Sequence, residues 1–160
     1  MGTIVSALAA LKTIFAGLDA SPYQDPVGVW VIPDDYENIN WSDPPFIVIS
    51  TLDREWLPFR PLHRGAMKHE WIAEINCCLS TGPITTMVRA VELEPIWMTW
   101  LNQVASLLGE NRGLNGQALA IGSGIDLFRY RVGQFELGRR VYYGVRVQVP
   151  VLQLVQMTCD

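Results

Sequence analysis

The feature that most constrains the fold is the run from Arg140 to Gln148. Val141, Tyr143, Val145, Val147 and Val149 alternate there with Tyr142, Gly144, Arg146 and Gln148. A period of two sends successive side chains to opposite faces, so the run reads as a β-strand with an apolar face to bury. Pro150 suggests an edge position or a bulge before a further β-prone run, Leu152 to Met157.

Partner strands are legible upstream. From His69 to Leu79 the chain alternates, with Trp71, Ala73, Ile75, Cys77 and Leu79 on one face and Glu70, Glu74 and Asn76 mainly on the other. This reads as a half-buried strand in which Cys77 is a small core hydrophobe and Cys78 its outward neighbour. Phe46 to Ser50 is a near-continuous apolar run, the pattern of a strand covered on both faces. Val27 to Ile32 is a shorter β-prone run, stopped by Pro33 and followed by the acidic loop Asp34 to Asp43. Gln117 to Ile121 and Ile125 to Val132 are candidate strands around Gly122-Ser-Gly124.

Two regions carry helical spacing. Ile4, Leu8, Leu11, Phe15 and Leu18 share a face, which predicts an amphipathic helix over residues 3–18. Pro95 suits a first-turn position, so the second region reads as a short segment from Thr86 to Leu93 and a main helix from Pro95 to Leu108, capped by Gly109. The order is α, three β, α, then two or three β. That segregation predicts an α+β fold, a mainly antiparallel sheet with an N-terminal helix and a second helix packed on one face.

Composition narrows the function. With 160 residues, 49% hydrophobic and 18% charged, the chain reads as a single domain over 1–160, and disorder is excluded. No internal repeat recurs. A net charge of −4 argues against nonspecific nucleic-acid binding. Of the twelve basic residues only Lys12 and Lys68 are lysines, and the other ten are arginines. Together with six Trp and five Tyr, this arginine bias is the composition of a surface that neighbours bury. The stretch from Asp53 to Lys68 concentrates it. Two prolines and Gly65 discourage a helix there, so it reads as a long projecting loop or the tip of a hairpin. Arg54, Trp56, Phe59, Arg60, His63, Arg64 and Lys68 are its candidate partner-interface residues.

No catalytic, cofactor or metal constellation emerges. His69-Glu70-Trp-Ile-Ala73 lacks the second histidine of the zinc-protease helix and lies in a strand pattern. There is no phosphate-cradling Gly-Lys-Ser/Thr run, and Gly122-Ser-Gly124 is not a nucleophile elbow. The acidic loop lacks the glycine turn and terminal glutamate of a calcium loop. Three cysteines, two of them adjacent, make no disulfide framework, and a reduced cytoplasmic setting is the expectation. No apolar run is long enough to cross a bilayer. Gly2 and Ser6 satisfy the short myristoylation pattern, but no polybasic patch follows. The reading is a protein without enzymatic activity, cofactor or metal.

A leading helix, the run Val27 to Asp35, a proline-led apolar strand, a strand through Glu74-Ile-Asn-Cys77, a helix carrying Trp and Leu, and the final strand Tyr142 to Val149 form an order that resembles the tail-terminator proteins of tailed bacteriophages. The resemblance spans nearly the whole chain and is one of element order. It implies a structural virion protein at the head-proximal end of the tail, assembled in the host cytoplasm. Such a protein forms a homo-oligomeric ring, hexameric in that family, which caps the tail tube and ends its polymerisation. The implied partners are further copies of itself, the tail tube protein, the head-tail connector or neck protein, and the tail sheath. DNA would pass through the lumen only as cargo, and no membrane is involved. The alternatives are another neck, head-closure or baseplate adaptor, or a cytoplasmic ligand-binding or enzymatic domain.

Overall fold

The computed structural model of the chain describes residues 3–52, 59–61, 66–123 and 125–156. The elements run α1 (Ile4–Phe15), β1 (Val29–Val31), β2 (Phe46–Thr51), β3 (Phe59–Pro61), β4 (Ala66–Thr81), α2 (Met87–Glu110), β5 (Ala120–Ile121), β6 (Arg129–Leu137) and β7 (Arg140–Gln156). They build an α+β fold around one seven-stranded sheet ordered β1-β2-β4-β7-β5, in which β3 also lies beside β4 and β6 beside β7. Among the described residues only β1 and β2 are parallel, and the other pairings are antiparallel.

The sheet is organised by β4 and β7. They pair continuously from Ala66↔Gln156 to Thr81↔Tyr142. At about 3.3 Å per residue each strand spans roughly 50 Å, far beyond the usual strand. Their register stacks Trp71, Ala73, Ile75 and Cys77 opposite Val151, Val149, Val147 and Val145 on one face. Both helices pack on that face. Ala7, Leu8, Leu11, Ile14 and Phe15 of α1 and Trp100, Val104 and Leu108 of α2 join those strand residues in the main core.

The opposite face is covered at one end only. Ile39, Phe46, Val48, Cys78, Phe135 and Tyr142 are buried together under the loop that follows β1, with Trp30, Ile32 and Trp41 packed against them. The Tyr142 hydroxyl donates to the Trp41 carbonyl oxygen at 2.5 Å, which fastens that loop. Cys78 therefore faces a second small core instead of solvent, and Glu74 and Asn76 are buried as well. The expected half-buried strand is covered on both sides through its middle, because the folded-back loop supplies apolar cover that no local pattern announces.

Several boundaries differ from expectation. α1 starts where Thr3 and Ser6 cap reciprocally: the Ser6 N–H donates to Thr3 Oγ1 at 3.2 Å and the Thr3 N–H to Ser6 Oγ at 2.7 Å. It stops at Phe15, short of Leu18. α2 is one continuous helix, capped at its start by Thr86 and running through Pro95 to Glu110, so Gly109 lies inside it. Pro95 removes the N–H that would bond the Val91 carbonyl, but both residues face solvent, where water can satisfy the freed oxygen. β7 likewise continues through Pro150. The Pro150 and Leu152 carbonyls accept from Gly122 and Leu119, so the even-numbered backbone groups of β7 point to the side that β6 and β5 occupy. Pro150 falls between Gln148, the last partner of β6, and Val151, the first partner of β5, where no strand needs its missing N–H. The candidate strand over 117–121 is reduced to Ala120–Ile121, and β6 begins only at Arg129.

Gln153 joins the layers. Fully buried, it accepts from Trp71 Nε1 at 2.8 Å and donates through Nε2 to the carbonyl oxygens of Thr3 at 2.8 Å and Gln117 at 2.9 Å. It thus ties the start of α1 and the segment before β5 to the central strand pair. Near the other end of that pair the register shifts by one residue between Cys78 and Ser80, opposite Gly144. A Cβ at Gly144 would overlap the Cys77 carbonyl, so the bulge leaves room only for glycine.

Gly144→Ala should therefore destabilise the protein by at least ~3 kcal/mol, since the obstruction is backbone in the central strand pair. Urea unfolding followed by circular dichroism measures this, and an unchanged midpoint would contradict the packing described. Burial also pushes the Cys77 thiol up to about 12 and raises Cys78 as well. In a Cys159→Ser background the native protein should be inert to Ellman's reagent at pH 8 and show two reactive thiols once unfolded.

Candidate functional site

Beside the second small core, the same sheet face carries polar groups aligned by register. Reading across the sheet, Val48, Asn76, Arg146 and Arg131 lie opposite one another, and next to them Ser50, Glu74, Gln148 and Arg129 do the same. Arg146 is held from three directions. Its Nε donates to Asn76 Oδ1 at 3.0 Å, its Nη2 bonds Glu74 Oε1 at 2.9 Å, and its guanidinium lies 4.9 Å from the centre of the Phe135 ring. With one acidic partner and a flat apolar surface beneath it, this arginine is fixed in orientation.

Arg131 stands directly opposite Arg146 on β6, a like-charge pair that costs stability unless neutralised. Glu74 serves Arg146, whereas Arg131 makes no ion pair among the described residues. Arg129 reaches only Asp126, at 3.7 Å and largely in solvent, a pair of little energetic weight. Glu74, Arg129, Tyr130, Arg131, Arg146 and Gln148 line a shallow groove of about 210 Å³. This geometry suits the binding of carboxylates or other anions.

The two flanks of the sheet are unlike. At the β1 flank the outward backbone groups of Val31 are already used: its N–H donates to Asp35 Oδ2 at 2.9 Å and its carbonyl accepts from the Asp35 N–H at 2.7 Å. Lys12 of α1 holds the same carboxylate at 2.7 Å. The Lys12 ammonium and then the Val31 amide hold the Asp35 carboxyl below its usual range. This flank is closed to strand pairing, and exposed Asp34 and Glu37 make it acidic. The β6 flank is basic, with Arg129, Arg131, Arg139 and Arg140 exposed against Glu136 and the Asp126 that lies near Arg129.

A third surface lies on α2. Met87, Val88 and Val91 are 82%, 70% and 59% exposed, and Pro95 and Met98 continue the row along the outward side of the helix. A helix facing only water would carry charges there.

Of the interface residues expected from sequence, Arg54, Trp56, His63 and Arg64 lie outside the described residues. Phe59 and Arg60 fall on β3, whose backbone pairs with His69 and Lys68. Lys68 sits on β4 with its ammonium 3.6 Å from Glu70. The described part of the stretch is thus hairpin. Sequence reading missed Arg129, Arg131, Arg146, Glu74 and Asp35. The spacing of Arg129 and Arg131 by two residues was the available signal, but only the register with β7 reveals that they continue a row begun by Glu74 and Asn76. No group of three or more metal-ligating side chains gathers among the described residues, and no helix of the described residues is long and apolar enough to cross a membrane.

No protein-family model matches the sequence, and no curated protein matches it.

Two outcomes follow from this geometry. Glu74→Ala should cost about 1–3 kcal/mol by leaving Arg146 half-buried without its carboxylate, whereas Arg129→Ala should change stability by no more than about 0.5 kcal/mol; thermal melts of the two variants compare them. Because the Asp35 carboxyl is depressed in the folded state, its contribution is complete at neutral pH and is lost as pH falls through the folded value. Asp35→Asn should therefore remove part of the acid-side slope of a stability-versus-pH curve below about pH 4 and leave the slope above it unchanged.

Proposed function

We propose that this protein is a ring-forming structural component of a phage virion, resembling a tail terminator. Copies associate head to tail, cap the tail tube, end its polymerisation and join it to the head connector. The observation that carries this reading is the opposition of the two flanks. One is acidic and blunted by Asp35, and the other, four strands away, is basic and open. Unlike and complementary surfaces at opposite ends of a sheet are what a heterologous contact requires, and such contacts close into rings when the rotation permits.

The remaining surfaces suit the same role. The uncharged outward row of α2 offers an apolar contact to a tube or connector protein. The ten arginines and two lysines fit a protein that is buried by its neighbours.

Native mass spectrometry, together with electron microscopy of tails that contain the protein, tests the reading. A ring at the head-proximal end of the tail is the expected result. Replacing Arg129 and Arg131 by Glu should release monomers, and adding Asp34→Lys and Glu37→Lys should restore assembly. A monomer in solution with no association with virions would overturn the proposal.

A further inference from the structure

The free edge of β6 has a backbone pattern that can be read from its hairpin with β7. Gly138 and Arg139, at φ +59° and +67°, form a two-residue turn closed by the pair Leu137↔Arg140. In such a hairpin the closing pair is hydrogen-bonded and the alternation then runs down the ladder, so Leu137, Phe135, Gly133, Arg131 and Arg129 direct their backbone groups to β7. Tyr130, Val132, Gln134 and Glu136 direct theirs outward. Among the described residues none of these outward groups takes a backbone hydrogen bond from another element. The edge is bounded near Gln134, whose side-chain Nε2 donates to the Ile84 carbonyl at 3.0 Å.

For a strand added antiparallel to this edge, Arg129, Arg131 and Gly133 would occupy the non-hydrogen-bonded positions, where facing side chains approach most closely. Two polar rows that cross the sheet end there in an arginine each, and the sequence Glu74, Arg146, Arg131 leaves the last positive charge without its negative neighbour. A carboxylate opposite Arg131, and another two residues along opposite Arg129, would complete both rows. Gly133 leaves open space for a bulky side chain beside them. On the other face, half-exposed Tyr130 and partly buried Val132 present apolar surface to the residues between the two acids.

We infer that β6 is a strand-acceptor site: an extended segment of another polypeptide, with carboxylates two residues apart, adds to the edge at Tyr130–Gln134 and pairs its acids with Arg129 and Arg131. Backbone hydrogen bonds supply the generic part of the affinity and the two arginines select the acidic pattern. The inference concerns the same flank as the ring reading and differs in the occupant, an extended acidic segment of another polypeptide in place of a second copy of the chain.

Fluorescence anisotropy with a labelled peptide, acetyl-Thr-Val-Glu-Val-Glu-Val-Thr-amide, tests the site on the full chain. The acidic peptide should bind at least tenfold more tightly than its Lys-for-Glu counterpart, with an affinity that falls as salt rises. Arg129→Glu with Arg131→Glu should invert that preference. Val132→Pro removes an N–H that faces the open edge and none that faces β7, so it should weaken binding at least tenfold while the circular dichroism spectrum stays unchanged. If Val132→Pro does not fold, the preference swap in the Glu variant decides. Equal binding of both peptides, no binding of the acidic one, or full binding by folded Val132→Pro would overturn the site. A dimer that Val132→Pro abolishes, without peptide binding, would assign the edge to a second copy instead and overturn it equally.

Discussion

Everything else in the fold depends on the pairing of β4 with β7. Fifteen residue pairs join a strand from the middle of the chain to one at its end, and every other strand but β1 attaches to one of these two. The pairing fixes which side chains face the helices and which face the loop after β1, because a slip of one residue would turn every side chain to the other face. The bulge at Cys78/Ser80 and the close approach at Gly144 help to hold that register, and buried Gln153 anchors α1 to the other half of the pair. The valines of β7 then form one continuous apolar ridge beneath α1 and α2.

The same sheet treats its two outer strands in opposite ways. β1 is only three residues long, and its outward amide and carbonyl at Val31 are consumed by Asp35, which Lys12 holds in turn. This removes a pairing surface that would otherwise be open to unwanted partners. β6 is nine residues long, and among the described residues no backbone group from another element takes its outward side. A protein that blunts one edge with a partly exposed ion pair and leaves the other basic has a direction built into it. The proposed head-to-tail assembly and the proposed strand-acceptor site both draw on that polarity.

The secondary structure was legible where periodicity was strong and isolated. The alternation through Val141–Val149, the apolar run at Phe46–Ser50 and the helical spacing of Ile4, Leu8 and Leu11 all correspond to elements. The errors have a common origin in tertiary context. Pro95 reads as the start of a separate helix and Pro150 as an edge position or a bulge, yet each sits inside a continuous element where its missing N–H has no protein partner to lose, at a solvent-facing helix surface and between two neighbouring strands. Cys78, Glu74 and Asn76 read as an outward face, but the loop carrying Ile39 and Trp41 folds back over part of that face and Arg146 reaches across to Glu74 and Asn76. Asn76 and Glu74 meet Arg146 from 70 and 72 residues away in sequence, a juxtaposition that only the pairing of β4 with β7 creates.

By itself the sequence determined the class of the fold and the arginine-rich make-up of the basic groups. Side-chain periodicity is a local property, and the surplus of arginine and tryptophan over lysine is a matter of composition. Only the tertiary structure decided where those groups lie. Whether a strand edge is open or closed, and whether an arginine already has its carboxylate, depends on neighbours that the chain brings together across the sheet. Here those neighbours are Asp35, which occupies the outward backbone groups of Val31 at one flank, and Glu74, which pairs with Arg146 while Arg131 has no acidic partner among the described residues.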